Sequence, residues 1–581
     1  MTLIDAPREQ AVPPPAAPAR RLPALRMPRP RTLVLAGTAL IVVYLVGAPL
    51  VYLLRDAFTD DGEGFSLAGF RRALSEAGMG TTVANTLVFS VGSAALGLVL
   101  GTVLAYLAVR TDAPFGRLVQ ASSMIPLIVP SILYAPAWMF LASHDIGLFN
   151  EVTDALFGAR PFDVYSMGGM VWVQGLHVAP IAFLFMTSAF RNSDPSLEEA
   201  ARTSGAGRWS VLLRVTVPLV KPALASAGLI LFVQSLEVFE VPALLGLPAD
   251  ITVVTSQMYQ LFQTYPIDFH AVGALGVLLL VVASLGVLLA NRAGGSLKQS
   301  ATVSGKAFRP RRAPLGRGRR WAGAFIILYF AVVVVLPLAI MLYASLLPFY
   351  ETPGAHAFSQ MSFDNYTGIL GDPTVINAFQ NTVFVAVGGA LGVMVISAVT
   401  SWFVVRTTIR GRGLLDALAF SPMIMPGLVL GLAISSVYLN VRLPIYATLW
   451  IILIAYLTRF LPYGMRYASA SMRSISPELE ESAYVSGAGW GTTIRRILLP
   501  LTSPGMVAGF IYVLIVGFRE LQSTILLYSP GNETVSVLVW EEYQDGGLSS
   551  VAAIGVLMVL VLCVFVGLAM LIGGRKGVRL Q

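Results

Sequence analysis

Side chains able to do chemistry are few and scattered in this chain. Its four histidines, His144, His177, His270 and His356, lack metal-ligand spacing, and a lone cysteine, Cys563, allows neither a thiolate cluster nor an intramolecular disulfide. Cys563 falls inside an apolar run, where packing is its expected role. A nucleotide hydrolase needs G-x-x-x-x-G-K-[ST] to wrap phosphates with backbone N–H groups. The nearest approach, "SGKAF" around Lys306, lacks the upstream glycine and the following hydroxyl residue. H-E-x-x-H is absent, as is a G-x-S-x-G elbow with usable partners. No catalytic, cofactor-binding or metal-binding residue is therefore expected. What remains is charge in oily surroundings. "QSLEVFEVPALLG" carries Glu237 and Glu240, three apart and so on one face of a helix, and "GFRELQSTILLYSPG" carries Arg519 and Glu520. At a bilayer midplane each charge costs about 2.5–3.5 kcal/mol on insertion scales, so each should face protein or water. Three roles stay open: an ion pair locking two helices, contact with a solute or gate, and snorkelling toward the surface.

The elements that must position these charges are membrane helices. Of 581 residues 56% are hydrophobic and only 12% are charged, about half the charged share of a soluble domain. Twelve apolar runs approach the ~20 residues a spanning helix needs. They lie near 32–54, 85–109, 121–142, 168–190, 219–245, 271–291, 321–345, 381–405, 414–439, 445–470, 504–528 and 549–573. They show no strict apolar–polar alternation, which disfavours barrel strands, so the expected class is an all-α polytopic membrane protein. Residues 1–31, rich in Pro and Ala with Arg20, Arg21, Arg26, Arg29 and Arg31, are expected to be a disordered tail. The first apolar run is longer than a signal-peptide core, so an uncleaved span is favoured. The net charge of +8 clusters where helices leave the membrane, which points to topology and lipid headgroups and not to nucleic acid.

Charge sign alternates along the connections. Those after odd runs are acidic (Asp56, Asp60, Asp61 and Glu63; Asp145, Glu151, Asp154 and Asp163). Those after even runs are basic: Arg110 and Arg117; Arg406, Arg410 and Arg412; residues 292–320 with nine Lys or Arg and no acid; and the terminal Arg575, Lys576 and Arg579. By the positive-inside rule both termini are cytoplasmic. The chain also repeats itself. Asn85 and Asn381 open similar segments 296 residues apart, an offset shared by Arg110-Thr111 with Arg406-Thr407 and by Pro126 and Pro130 with Pro422 and Pro426. "EEAARTSGAGRWSVLLRVTVP" at Glu198 and "EESAYVSGAGWGTTIRRILLP" at Glu480 lie 282 apart, and the 14-residue difference fits the longer loop near 143–167. Two parallel six-helix repeats follow: 32–291 with a cytoplasmic loop at 191–218, and 321–581 with one at 473–500, joined by the basic linker 292–320.

Each duplicated island should fold as a short cytoplasmic helix. Asp194-Pro195 and Ser476-Pro477 offer a cap followed by proline at the first helical position, and Gly205 and Gly487 can take the left-handed conformation that ends a helix about ten residues on. A second stretch should then stop near Pro218 or Pro500, where the chain re-enters the membrane. A capped loop resting on lipid headgroups is the alternative, but Glu198, Glu199, Glu480 and Glu481 would be repelled by anionic lipid. The islands resemble the EAA signature of the membrane subunits of binding-protein-dependent ABC importers: E-A-A, three residues, Gly, nine residues, I-x-L-P. Here it is Glu199-Ala200-Ala201, Gly205, Val215, Val217 and Pro218, then Glu481-Ser482-Ala483, Gly487, Ile497, Leu499 and Pro500, with conservative departures.

The resemblance implies the fold of such a permease. It also implies that Glu198, Glu199, Ala200, Ala201, Gly205, Glu480, Glu481, Ser482, Ala483 and Gly487 dock two copies of a separate ABC ATPase, which binds ATP and Mg while this chain holds no cofactor. An external solute-binding protein would deliver the solute, and the setting would be a bacterial inner membrane. The stretches around Glu237 and Arg519 resemble ferric-iron permeases, with thiamine, polyamine and phosphonate permeases as alternatives. A twelve-span secondary carrier is the rival of another class; its G-x-x-x-D-R-x-G-R motif is missing, "RTDAPFGR" standing at that place.

Overall fold

Residues 30–60, 64–194, 196–300, 313–441 and 443–574 are described by a computed structural model. Most of the expected tail, the linker centre with Lys306, Pro195, Asp61, Glu63 and the terminal Arg575, Lys576 and Arg579 lie outside them. The helices that build the membrane body and its two islands are numbered α1 to α17 in chain order. In the first half they are α1 Pro30–Phe58, α2 Met79–Arg110, α3 Gly116–Ile128, α4 Ser131–Ala142, α5 Met167–Asn192, α6 Ser196–Thr203, α7 Trp209–Glu237 and α8 Phe269–Ser300. In the second they are α9 Gly318–Ser345, α10 Pro373–Arg406, α11 Arg412–Ile424, α12 Gly427–Asn440, α13 Leu449–Arg459, α14 Leu461–Arg473, α15 Glu478–Val485, α16 Trp490–Phe518 and α17 Leu548–Gly574.

Nine of these are long and apolar enough to cross a membrane among the described residues, and the bent pairs α3/α4 and α11/α12 bring the number to 11. The remaining expected run, near 445–470 and tenth in chain order, is divided at Phe460 into α13 and α14, just before Pro462. The two bends, 111° and 112°, have one cause. Pro130 and Pro426 cannot donate to a preceding carbonyl, and each drives its predecessor out of the helical region. Val129 sits at φ −64°, ψ 128° and Met425 at φ −82°, ψ 118°.

Two expected boundaries move. The stretch after each glycine bend does not stop at Pro218 or Pro500 but runs on as α7 and α16. Leu212–Thr216 and Ile494–Leu498 widen into single π-turns just ahead of each proline. A widened turn gives the proline ring room and leaves a continuous helix. The same helices end earlier than expected, at Glu237 and Phe518. Glu237 and Glu240 therefore do not share a helical face; the chain turns between them.

In each half one long helix is the hub: α2 packs on α5 and α7, and α10 on α13, α14 and α16. The first span of each half crosses over, α1 touching α12 and α9 touching α4, so the broken spans are clasped from the opposite repeat. Cys563 lies exposed on α17 and not in the packed interior.

Both island helices end as expected. Gly205 (φ +85°) and Gly487 (φ +82°) are left-handed, and Ala206 and Ala488 donate back to Ala201 and Ala483 at 3.0 and 2.9 Å. Gly205 and Gly487 donate to Arg202 and Tyr484, each at 3.0 Å, which completes a Schellman closure in both copies. No atom crowds either glycine, so alanine there meets only backbone strain, about 1–2 kcal/mol. Gly205→Ala and Gly487→Ala should therefore speed amide exchange in α6 and α15 by about 5–30-fold, without changing exchange in the spans.

Candidate functional site

The two islands present similar faces. In α6, Glu199, Ala200 and the following Gly205 are exposed and Ala201 is partly so; in α15, Glu481, Ser482 and Gly487 are exposed while Ala483 is buried. Apolar side chains stand beside the acids: Leu197 on α6, and Leu479, Tyr484 and Val485 on α15. The capping differs between copies. Asp194 Oδ1 accepts the Ser196 N–H at 2.8 Å, and that bond holds its carboxyl below the ordinary range. Because its charged form is favoured in the fold, this cap persists at neutral pH and is lost only as pH falls through the depressed pKa. Ser476 makes no such side-chain cap; α15 begins after Pro477, with the Leu479 N–H reaching the Ser476 carbonyl at 3.3 Å.

Glu198 and Glu480, expected among the docking residues, both turn inward in this chain. Glu198 is 5% exposed and Glu480 8%. Glu198 lies 3.8 Å from Arg110 and from Arg202 and accepts the Thr216 hydroxyl at 3.0 Å. Glu480 pairs with Arg406 at 2.9 Å. The same arginines hold the end of the neighbouring span. Arg110 donates to the Ser193 carbonyl at 2.9 Å and to its hydroxyl, while Arg406 donates to the carbonyls of Met472 (2.9 Å) and Ile475 (2.7 Å). A guanidinium suits the acceptors left over at a helix C-terminus. In the sequence both arginines counted toward loop charge and toward the repeat, and their duplication in Arg-Thr at equivalent places was the available signal of a shared role. Beyond the linker centre, Ala313 exchanges backbone bonds with Arg110 (2.9 Å) and Asp112 (3.2 Å), and Asp112 Oδ1 accepts the Leu315 N–H at 2.7 Å.

The charges singled out in the spans do gather, around a residue that sequence reasoning missed. Arg459, the last residue of α13, sits 3.1 Å from Glu520 and donates to Gln522 Oε1 at 2.8 Å. Gln522 in turn donates to Glu240 at 3.2 Å, and Ser131 donates to the other Glu240 oxygen at 3.2 Å. Glu237 lies within electrostatic reach of Arg459, Glu240 and Glu520. Of the roles left open, the ion pair is present, between Arg459 and Glu520. Arg519 lies in the field of Glu240 and Glu520 and 3.5 Å from the Val129 carbonyl. Burial of Glu240 and Glu520 to 3% and 6% exposure argues against snorkelling. Among the described residues no three His, Cys, Asp or Glu gather as a metal site. An arginine inside the run 445–470 was the overlooked signal.

Two features give this cluster its meaning. Glu240 and Gln522 are 282 positions apart, the offset that relates the islands, so they are repeat equivalents in direct contact. Residues exchanged by a pseudo-two-fold rotation can touch each other only beside its axis. Moreover, a Cβ at Gly427, the first residue of α12, would overlap the Arg459 guanidinium, so this close approach depends on glycine. Arg459→Leu should strand buried Glu520 and lower stability by about 3–5 kcal/mol, read as a fall in the unfolding midpoint in detergent. An unchanged midpoint would mean that Glu520 does not rely on this cation.

Comparison with known proteins agrees with this duplicated plan. The family model for the binding-protein-dependent transport system inner membrane component matches residues 97–297 and 406–576, one segment in each half. The ferric transport system permease protein FbpB of Actinobacillus pleuropneumoniae is 24% identical over 536 residues, covering 91% of this chain and 76% of that protein. A putative ferric transport system permease, FbpB 1 of Haemophilus influenzae, is 25% identical over 497 residues, covering 84% and 76%. A putative 2-aminoethylphosphonate permease, PhnV of Salmonella typhi, is 27% identical but spans only 42% of this chain against 91% of its own length. Matched in both halves by one family model, the chain belongs to the binding-protein-dependent transport system inner membrane components, the permease subunits of ABC importers.

Proposed function

We propose that this permease carries ferric iron inward, receiving it from an external binding protein and drawing work from two copies of an ABC ATPase, which bind ATP and Mg. The observation that carries the substrate is coverage: relatives named for ferric transport align with nearly the whole fused chain, whereas the phosphonate relative aligns with one half. The basic connections support a cytoplasmic position for α6, α15 and both termini. Two exposed acid-and-apolar faces, one per half, supply one ATPase site each: Glu199, Ala200, Ala201 and Gly205 on the first, Glu481, Ser482 and Gly487 on the second, with Ala483 packed behind it. Helices of eight residues are marginal alone in water, which fits faces completed by a partner groove.

The cluster of Glu237, Glu240, Arg459, Arg519, Glu520 and Gln522 acts as the gate. Glu240 touching its own repeat equivalent supports a position on the pathway axis, and Arg459 with Gln522 ties carboxylates of both halves together. Rotation of the halves by the ATPases would part Glu240 from Gln522 and open the axis. A secondary carrier is set aside by the family itself.

Two experiments test this reading. The purified chain should retain two ATPase copies, and Glu199→Lys with Glu481→Lys should release them; retention would sink the docking assignment. In proteoliposomes with the cognate binding protein and ATP, ferric iron should accumulate inside. Accumulation of thiamine, a polyamine or 2-aminoethylphosphonate in its place would overturn the substrate and leave the mechanism standing.

A further inference from the structure

We infer that Arg110 and Arg406 are the pins through which movement of the island helices reaches the membrane body, with Glu198 and Glu480 as the parts they grip. The inference rests on α6 and α15 being the docking helices. Each island helix has eight residues and is joined to the spans only by a short connection from α5 or α14 and a Gly-Ala-Gly bend toward α7 or α16. A push on such an element would be absorbed by the joints unless something stiff bypassed them.

The arginine brackets are that bypass. Arg110 is the last residue of α2 and Arg406 the last of α10, the hub helices of their halves. Each guanidinium faces the leftover acceptors of a second span, Ser193 after α5 or Met472 and Ile475 around the end of α14, and a carboxylate in the first turn of the island helix. Three elements meet on one planar group: its donors are directed at the acceptors of the second span, and the island carboxylate is held by charge attraction at 3.8 Å in the first copy and 2.9 Å in the second. The side chains are removed from water, at 2% and 6% exposure in the first bracket and 9% and 11% in the second. An apolar contact of the same volume could hold the helix as firmly, since buried ion pairs add little net stability. It would slide under load, however, whereas a desolvated charge pair resists separation in every direction. The pairing occurs in both halves although the islands differ elsewhere.

The two pins are unequal. Glu198 is held additionally by Arg202 and by Thr216, which lies in the π-turn at the base of α7, and the backbone of Arg110 is gripped by Ala313. The position equivalent to Thr216 is Leu498, which has no hydroxyl, so Glu480 depends on Arg406 for its ion pair. Loss of the second pin should cost more than loss of the first.

The test compares solute imported per ATP hydrolysed in proteoliposomes holding permease, ATPase and binding protein. Glu480→Gln removes the charge link while leaving Arg406 its bonds to Met472 and Ile475. It should keep both ATPase copies bound yet lower the ratio between about 2- and 30-fold. Glu198→Gln should lower it less. Arg406→Lys, which keeps the charge, should recover part of what Arg406→Gln loses. A purely structural role would reduce the yield of assembled complex and leave the ratio intact. An unchanged ratio in Glu480→Gln with ATPases bound overturns the inference alone. Retention of ATPases after Glu199→Lys with Glu481→Lys overturns the docking reading beneath it. Should Glu480→Gln fail to assemble, the exchange of Arg406→Glu with Glu480→Arg decides: restored assembly with a restored ratio supports the pin, and restored assembly without it overturns it.

Discussion

Inside hydrocarbon a backbone N–H or C=O that leaves its helix must be satisfied by protein, because water is not there to do it. This constraint explains where the charges sit. The chain breaks its helices at Val129-Pro130, after Glu237, at Met425-Pro426, at Phe460 and after Phe518. The released groups find partners among the charged side chains themselves. Glu520 accepts the Ser523 N–H at 2.9 Å, Glu240 takes the Phe239 N–H at 3.3 Å, and Arg519 faces the Val129 carbonyl. Helix breaks and intramembrane charges are therefore two aspects of one site. Unwound backbone needs polar company, and buried charge needs donors and acceptors that intact helices do not offer.

Much of this architecture was legible in the sequence because the bilayer filters it coarsely. A run of about twenty apolar residues, a basic or acidic connection and a repeated island each depend on composition over many positions, and single residues cannot spoil them. The left-handed Gly205 and Gly487 were legible for the opposite reason, since one residue type dominates that conformation. Legibility failed where an outcome hung on one side chain's direction. Glu198 and Glu199 are adjacent acids with the same hydropathy, yet about 100° of helical turn buries one against Arg110 and leaves the other exposed. Pro218 and Pro500 looked like helix stops because the widened turns ahead of them have no sequence signature. Arg459 escaped notice because a single charge barely dents the hydropathy of its run.

The same limit explains why the ion pair had no named partners in the sequence. The 282-residue offset relates Glu237 to Arg519, and equivalence in a duplicated chain does suggest proximity near the axis. It cannot say which member of a local group does the pairing. Applied to all positions, the 282-residue offset also relates His177 to Arg459 and Glu240 to Gln522. The first half thus contributes the carboxylates Glu237 and Glu240 where the second contributes Arg519 and Gln522.

That division has a physical consequence for the joining of two halves in one chain. Two identical halves would place Glu240 against a second Glu240 across the axis, and at a separation of a few ångströms in a medium of low dielectric such a pair could not both remain ionised. Divergence to Gln522 turns a repulsion into a hydrogen bond, and divergence at position 459 supplies the cation that the neighbouring carboxylates require. The cost of divergence is that only the mixed pairing works. A single chain carrying both halves meets that requirement without selecting a partner, since every Glu240 is made with its own Gln522. The described end of the linker meets the first half at the same place, because Ala313 bonds to the backbone of Arg110, whose side chain lies beside Glu198.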